Sequence, residues 1–259
     1  MVALVFVLFE YLGLVLLGFA AGIIGSMIGL GGGFVVVPIL TFFGFSPQLA
    51  ASNSLFAAFS NAVASTASYA KQRRIEYSLG LKLGLLSVPG TILGAYISDE
   101  ITSSLFKILF GIVLLASSLY IFSKRKIEPK TYNLSKQIMV LAIGASFFAG
   151  IISSLFGIGG GVVFVPLMVI AIGLSMKMAA PTSQFILLFA SASGMIAHTL
   201  LGHPDFYQAL FLSIGAFVGG LVGSRFSLQI EEKKLKIIVT VVLVITAIKL
   251  FIDSTGAPF

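Results

Sequence analysis

The chain has 259 residues, of which 58% are hydrophobic and only 10% charged, and its mean hydropathy is +1.11. A soluble domain carries about 25% charged residues, so a water-facing globule is excluded and an integral membrane protein remains. The absence of cysteine excludes disulfides, a thiol nucleophile and thiolate metal sites; the net charge of +7 sits in short runs between apolar segments, as membrane orientation signals do, and argues against a nucleic-acid partner.

The apolar runs are continuous and reach the ~20 residues that a helix needs to cross a bilayer. They lack the alternation of barrel strands, so the expected class is an all-α, polytopic transmembrane protein. The opening residues have no basic region and a long apolar stretch, and read as mature protein rather than as a signal. Helical elements are expected at 10–27, 34–43, 49–70, 78–98 and 103–123. A second series follows at 138–155, 162–172, 178–201, 206–228 and 235–252. Residues 1–9 precede the first series as an interfacial lead-in.

The two series are copies. Residues 22–40 and 150–168 agree at eleven of nineteen positions at an offset of 128, with Gly31 on Gly159 and Pro38 on Pro166. One residue is then inserted in the second copy, and the likeness continues at 129: Gly44 meets Gly173, Ser54 meets Ser183, Lys107 meets Lys236. The chain divides into a first repeat, 1–127, and a second, 128–259, within one transmembrane domain. In each, the second element is a half-helix of about ten residues, at about 34–43 and 162–172.

Basic residues follow the third and fifth elements of the first copy (Lys71, Arg73, Arg74; Lys124, Arg125, Lys126) and precede the third and fifth of the second (Lys177; Lys233, Lys234, Lys236). Asp99 and Glu100 mark the opposite face. The positive-inside rule then favours inverted repeats, each made of a hairpin and three crossings, with both chain ends outside. Parallel copies, with the first two elements as one broken span, are the alternative.

Three adjacent glycines cover every face of a helix, so close approach of helices does not by itself explain Gly31, Gly32 and Gly33, or Gly159, Gly160 and Gly161. Gly90, Gly94, Gly215, Gly219 and Gly223 do fit helix contact. The triplets read as helix breaks, each followed by a half-helix with its proline just inside the start. Backbone freed within a membrane survives only where protein or a polar cavity receives it. A helix N-terminus there carries partial positive charge and attracts anions. Structural hinges are the alternative. The strings do not complete a dinucleotide fingerprint.

The pattern GxxxGxGGGxxxVPxL in both halves, followed by AASNS or AAPTS, resembles the TauE/SafE family of sulfite and organosulfonate exporters. The likeness covers nearly the whole chain. It implies a multi-pass permease of the inner or plasma membrane whose substrate is a small sulfur-containing anion, with no cofactor. Ser52, Asn53 and Ser54, with Thr182, Ser183 and Gln184, open the third element of each copy and could donate to sulfonate oxygens. Helix capping or interhelical bonding are their bland alternatives. Ser26 and Ser154 are secondary candidates.

Glu10 opens a helix and reads as interfacial rather than proton-coupling. His198, opposite Tyr69 in the repeat, reads first as a hydrogen-bonded residue near a loop and second as a proton carrier. His203 reads as an external loop residue. No nucleotide motif and no intramembrane catalytic set is present, which speaks against an enzyme. The expected function is secondary transport of a small anion by alternating access, coupled to a proton or sodium gradient or to none. An anion channel and an uptake carrier for another anion remain open, as does a homo-oligomer in the lipid bilayer.

Overall fold

A computed structural model describes residues 2–123, 136–227, 229 and 232–254. Helices α1 (Val2–Ile28), α2 (Gly33–Phe42), α3 (Pro47–Lys71), α4 (Tyr77–Glu100) and α5 (Ser103–Ser123) form the first series. Helices α6 (Lys136–Phe156), α7 (Gly161–Pro166), α8 (Met176–Leu200), α9 (Phe206–Phe226) and α10 (Glu232–Ser254) form the second. α7 continues directly into a π-helical segment, Leu167–Ile172. No strand occurs among the described residues. The basic residues expected at 124–126 lie outside the described residues, as does the boundary between the repeats.

The π segment has a cause visible in the repeat. The single residue inserted in the second copy falls between Met168 and Gly173, and a π turn is how a helix absorbs one extra residue. Both half-helices then stop at a left-handed glycine, Gly44 (φ 86°) and Gly173 (φ 85°). Pro38 and Pro166 do not sit at the helix starts. Each is the sixth helical residue, because Gly33 and Gly161 already begin the half-helices. Proline there removes the bond to the carbonyl four residues back.

Residues 2–9 are not a separate lead-in either. α1 runs unbroken from Val2 through Glu10, so Glu10 lies inside a helix rather than at its start.

The exterior is apolar, and the polar side chains are gathered inside among a larger number of buried apolar ones. Ser52, Asn53, Ser54, Asn61, Ser87, Thr91, Ser153, Ser154, Ser183, Gln184 and His198 are buried, while Leu16, Leu85, Val140, Phe148, Leu200 and Ile245 are exposed. In water that arrangement would be unstable; against lipid chains an apolar exterior costs nothing. Among the described residues, five helices are long and apolar enough to cross a membrane, within α1, α4, α6, α8 and α9. α3 has the length, 25 residues, but spends it on inward-facing Ser, Asn, Thr and Gln.

Helix contacts keep their pattern when the copies are exchanged: α1 lies along α9 as α6 lies along α4, and α3 touches α9 as α8 touches α4. α3 meets α8, and α5 meets α10. Glycines permit the closest approaches. A Cβ on Gly90 would collide with the Phe147 carbonyl, one on Gly150 with Ser87, one on Gly215 with Val15 and one on Gly22 with Ala216. Small residues of this kind let backbones touch where lipid offers no hydrophobic drive to associate.

Long-range bonds give the helix directions. Arg74 Nε, after the end of α3, donates to the carbonyl of Lys177 at the start of α8 (3.0 Å). Asn53 Oδ1, near the start of α3, accepts from the N–H of Asp205, which caps α9 just beyond α8 (3.1 Å). α3 and α8 therefore run antiparallel, and so do α4 and α9.

Candidate functional site

Both glycine turns come to the centre of the molecule and touch. In each triplet the first two glycines hold positive φ: Gly31 (83°) and Gly32 (82°), Gly159 (73°) and Gly160 (82°). Side chains rarely tolerate that conformation. The third glycine of each has ordinary φ and is required for a different reason. A Cβ on Gly33 would strike the carbonyl of Gly157, and one on Gly161 would strike the carbonyl of Gly29. Each triplet is thus two turn residues followed by a point of contact with the other copy's turn.

Serines from the neighbouring long helices lock the contact. Ser54 Oγ donates to the carbonyl of Gly157 and Ser183 Oγ to the carbonyl of Gly29, each at 2.7 Å. Both serines are fully buried. Every donor therefore comes from one copy and its acceptor from the other. Gln184 Nε2 donates to the Gly25 carbonyl (2.8 Å), which also accepts from the N–H groups of Gly29, Leu30 and Gly31.

The starts of the half-helices have spare donors. Gly33 and Phe34 head α2, and Gly161 and Val162 head α7; no acceptor for their N–H groups occurs among the described residues. Helix geometry gives the first N–H groups no internal partner. The buried Gln184 Oε1, Ser153 Oγ and Ser154 Oγ also lack partners. Leu187, fully buried, packs against both Gly31 and Gly159.

Of the residues picked from the sequence, the structure gathers the two triplets, Ser54, Ser183 and Gln184. The others serve elsewhere in this arrangement. Ser52 Oγ bonds the Leu49 carbonyl of its own helix (3.0 Å). Asn53 holds α9 through Asp205 and Gln208. Thr182 Oγ1, at the equivalent position, accepts from the N–H of Glu76 at the start of α4 (3.0 Å). Asn53 and Thr182 are thus a matched pair of clips between copies.

The sequence does not single out Leu187, because a leucine in an apolar run carries no signal. The repeat did hold one: at the 129 offset Leu187 faces Ala58, a difference in size on an otherwise shared scaffold. Gly29 and Gly157 were equally visible as aligned glycines outside the triplets.

Two interrupted helices meet at the centre of a duplicated helical bundle with an apolar exterior, a build that is found among membrane transporters. The profile of the family described as Sulfite exporter TauE/SafE matches residues 14–250, and the chain belongs to that family. It is 34% identical over 266 residues to Probable membrane transporter protein YunE of Bacillus subtilis, covering 93% of this chain and 97% of the relative. It is 30% identical to Probable membrane transporter protein MJ0441 of Methanocaldococcus jannaschii, covering 89% and 91%. It is 22% identical to Probable membrane transporter protein YfcA of Escherichia coli K12, covering 91% and 87%. No solved structure gives a significant match. The protein is a multi-pass membrane transporter.

Proposed function

We propose that the protein is a secondary transporter, not an enzyme, that moves a small sulfur-containing anion, sulfite or an organosulfonate, across the inner or plasma membrane. The observation that carries this reading is the pair of unpartnered helix starts at Gly33–Phe34 and Gly161–Val162, brought together at the centre. Each such end has a partial positive charge of about +0.5 and N–H donors aimed outward. Together they suit one tetrahedral or pyramidal oxyanion without a fixed cation, and such a site releases its cargo readily.

In the arrangement described here the site is shut. The hydroxyls of Ser54 and Ser183 are committed to Gly157 and Gly29, and Leu187 packs against both turns. Parting the turns on one side frees a serine hydroxyl beside an already unpartnered helix start, so an anion oxygen replaces the carbonyl as the serine's acceptor and others meet the helix N–H groups. Alternating access then amounts to opening one cross-copy contact at a time. The antiparallel course of α3 against α8, with Asp99 and His203 at one end and Arg74 and Lys177 at the other, supports the inverted reading of the repeats.

The test is thermal unfolding of the purified protein with sulfite, sulfate, thiosulfate, taurine, sulfoacetate, phosphate and matched carboxylates. A ligand at 100 times its Kd stabilises by about 2.7 kcal/mol. A shift confined to sulfur anions and lost in Gly33→Ala supports the reading; a shift with carboxylates or phosphate alone removes the sulfur assignment.

A further inference from the structure

At one end of the molecule three titratable side chains from distant parts of the chain form a single hydrogen-bonded row. Asp99 closes α4, His203 lies in the turn between α8 and α9, and His198 lies in the last turns of α8. His203 Nε2 meets Asp99 Oδ1 at 2.6 Å, and the two imidazoles meet Nδ1 to Nδ1 at 2.7 Å. His198 Nε2 ends the row on the carbonyl of Ser154, at 3.1 Å. The row leads inward: the Asp99 side chain is 41% exposed, that of His203 10%, and His198 is fully buried. Ser154 lies in the last turn of α6, three residues before Gly157, the glycine whose carbonyl Ser54 holds.

Counting protons decides what this row is. A carbonyl cannot donate, so His198 Nε2 must carry a hydrogen. The contact between the two Nδ1 atoms needs one hydrogen, and so does the contact between His203 Nε2 and Asp99. Three bonds therefore need three protons. Two neutral imidazoles with an ionised carboxylate hold two, leaving one contact with lone pair against lone pair. Two imidazolium ions hold four, and then N–H faces N–H between the rings. Only the intermediate state satisfies the row, with one added proton shared between the rings and balanced by Asp99.

The corresponding place in the other copy holds the same shape without the titration. Tyr69 matches His198 and donates to the carbonyl of Ser26 (2.8 Å), the match of Ser154. Arg74 matches His203; its Nη1 donates to Gln72 Oε1 and Ser227 Oγ (2.9 Å each), and its guanidinium lies 5.1 Å from the Tyr69 ring. Arginine keeps its charge at any ordinary pH. Other charges at the histidine end are engaged or apart from the row. Asp205 of α9 caps Tyr207 and Gln208, Lys107 of α5 reaches the Asp253 carbonyl of α10, and Glu100 is exposed beside Asp99. The near halves of α3 and α6 carry no titratable side chain.

We infer that Asp99, His203 and His198 form a proton-binding site that holds the α8–α9 end closed over the glycine turns when it carries one added proton, and releases that end when the proton leaves. The coupling ion is then a proton, bound at one end of the molecule only. This inference rests on the transport reading for its use, but its chemistry needs no transported solute.

The chain has two histidines and no cysteine, which makes the test direct. Nitrogen-15 NMR of histidine-labelled protein reads only these two rings. The expected titration shows one proton shared by the pair, and Asp99→Asn moves its midpoint down by a unit or more, a tenfold weaker hold on the proton. Two independent titrations, or a midpoint unmoved by Asp99→Asn, would overturn the site. Ser154→Cys keeps the backbone carbonyl and places a buried thiol behind the row. Its alkylation is expected to be at least tenfold faster above the titration than within it, and to lose that dependence in His203→Gln. A rate independent of pH in the parent overturns the inference, even where a sulfur anion still shifts the melting temperature; a pH-dependent rate with no anion shift upholds it and removes the anion reading alone.

Discussion

Ser54 gives its hydroxyl hydrogen to the carbonyl of Gly157, 103 residues further along the chain, and does so across the meeting point of the two copies. Ser183 does the same for Gly29 in the other direction. Removing either hydroxyl leaves a buried carbonyl without this side-chain donor. Ser54→Ala and Ser183→Ala are each expected to cost about 1–3 kcal/mol, read by thermal unfolding in detergent. Because the two bonds clamp one contact, the double variant is expected to depart from the sum of the singles. Strict additivity would mean that the turns open independently.

The glycines divide into those that need their hydrogen and those that do not. Gly33→Ala and Gly161→Ala drive a methyl into a facing carbonyl and are expected to destabilise by about 1–3 kcal/mol. Gly13 lies within α1 with nothing near its Cβ position. Gly13→Ala is expected to be neutral or stabilising by up to about 1 kcal/mol. Unfolding temperatures that rank the three alike would contradict the contact geometry.

Leu187 against Gly31 and Gly159 makes a third prediction. Leu187→Ala leaves a cavity, at a cost of about 2–5 kcal/mol, and gives the site the alanine that the first copy has at Ala58. Anion binding is expected to tighten even as the fold weakens, because the closed arrangement loses this packing. Reduced stability with unchanged anion affinity would make Leu187 a core residue only.

At the far end, Arg74 links Lys177, Gln72 and Ser227 through one planar guanidinium. Arg74→Lys keeps the charge but cannot hold three acceptors in that geometry. Alkylation of a cysteine placed at Ser26, the match of Ser154, is expected to speed up in Arg74→Lys at all pH values alike. A pH-dependent rate there would make the two ends equivalent, against the difference between Arg74 and His203.

The course of the chain across the membrane is testable in the same cysteine-free background. Lys177 and Glu100 are both exposed and belong to opposite ends. Single cysteines there are expected to react with an impermeant reagent from opposite sides of the membrane. Labelling of both from one side would sink the inverted reading.

Much of this was legible in the residue order. The ten elements, the two half-helices and the glycine breaks are local features: an apolar run of given length is a helix in lipid, and adjacent glycines interrupt it wherever they stand. Even the inserted residue between Met168 and Gly173 had its counterpart in a π turn. The candidate site was legible in part, since duplicated polar stretches beside duplicated breaks drew attention to Ser54, Ser183 and Gln184. That Asn53 and Thr182 instead clip α9 and α4 to the opposite copy was hidden, because adjacent residues on a helix point about 100° apart and only one direction faces the turn.

The sequence by itself determined the membrane habit, the duplication and the places where helices break, because each depends on short runs of neighbouring residues. Only the tertiary structure decided which turn meets which, that Leu187 packs against both, and that His203 finds Asp99 at 104 residues' distance. In lipid both the outward and the inward faces of a helix are largely apolar, so hydropathy does not say which face turns inward. That choice is made by glycine contacts and buried hydrogen bonds between helices, and those exist only once the helices are assembled.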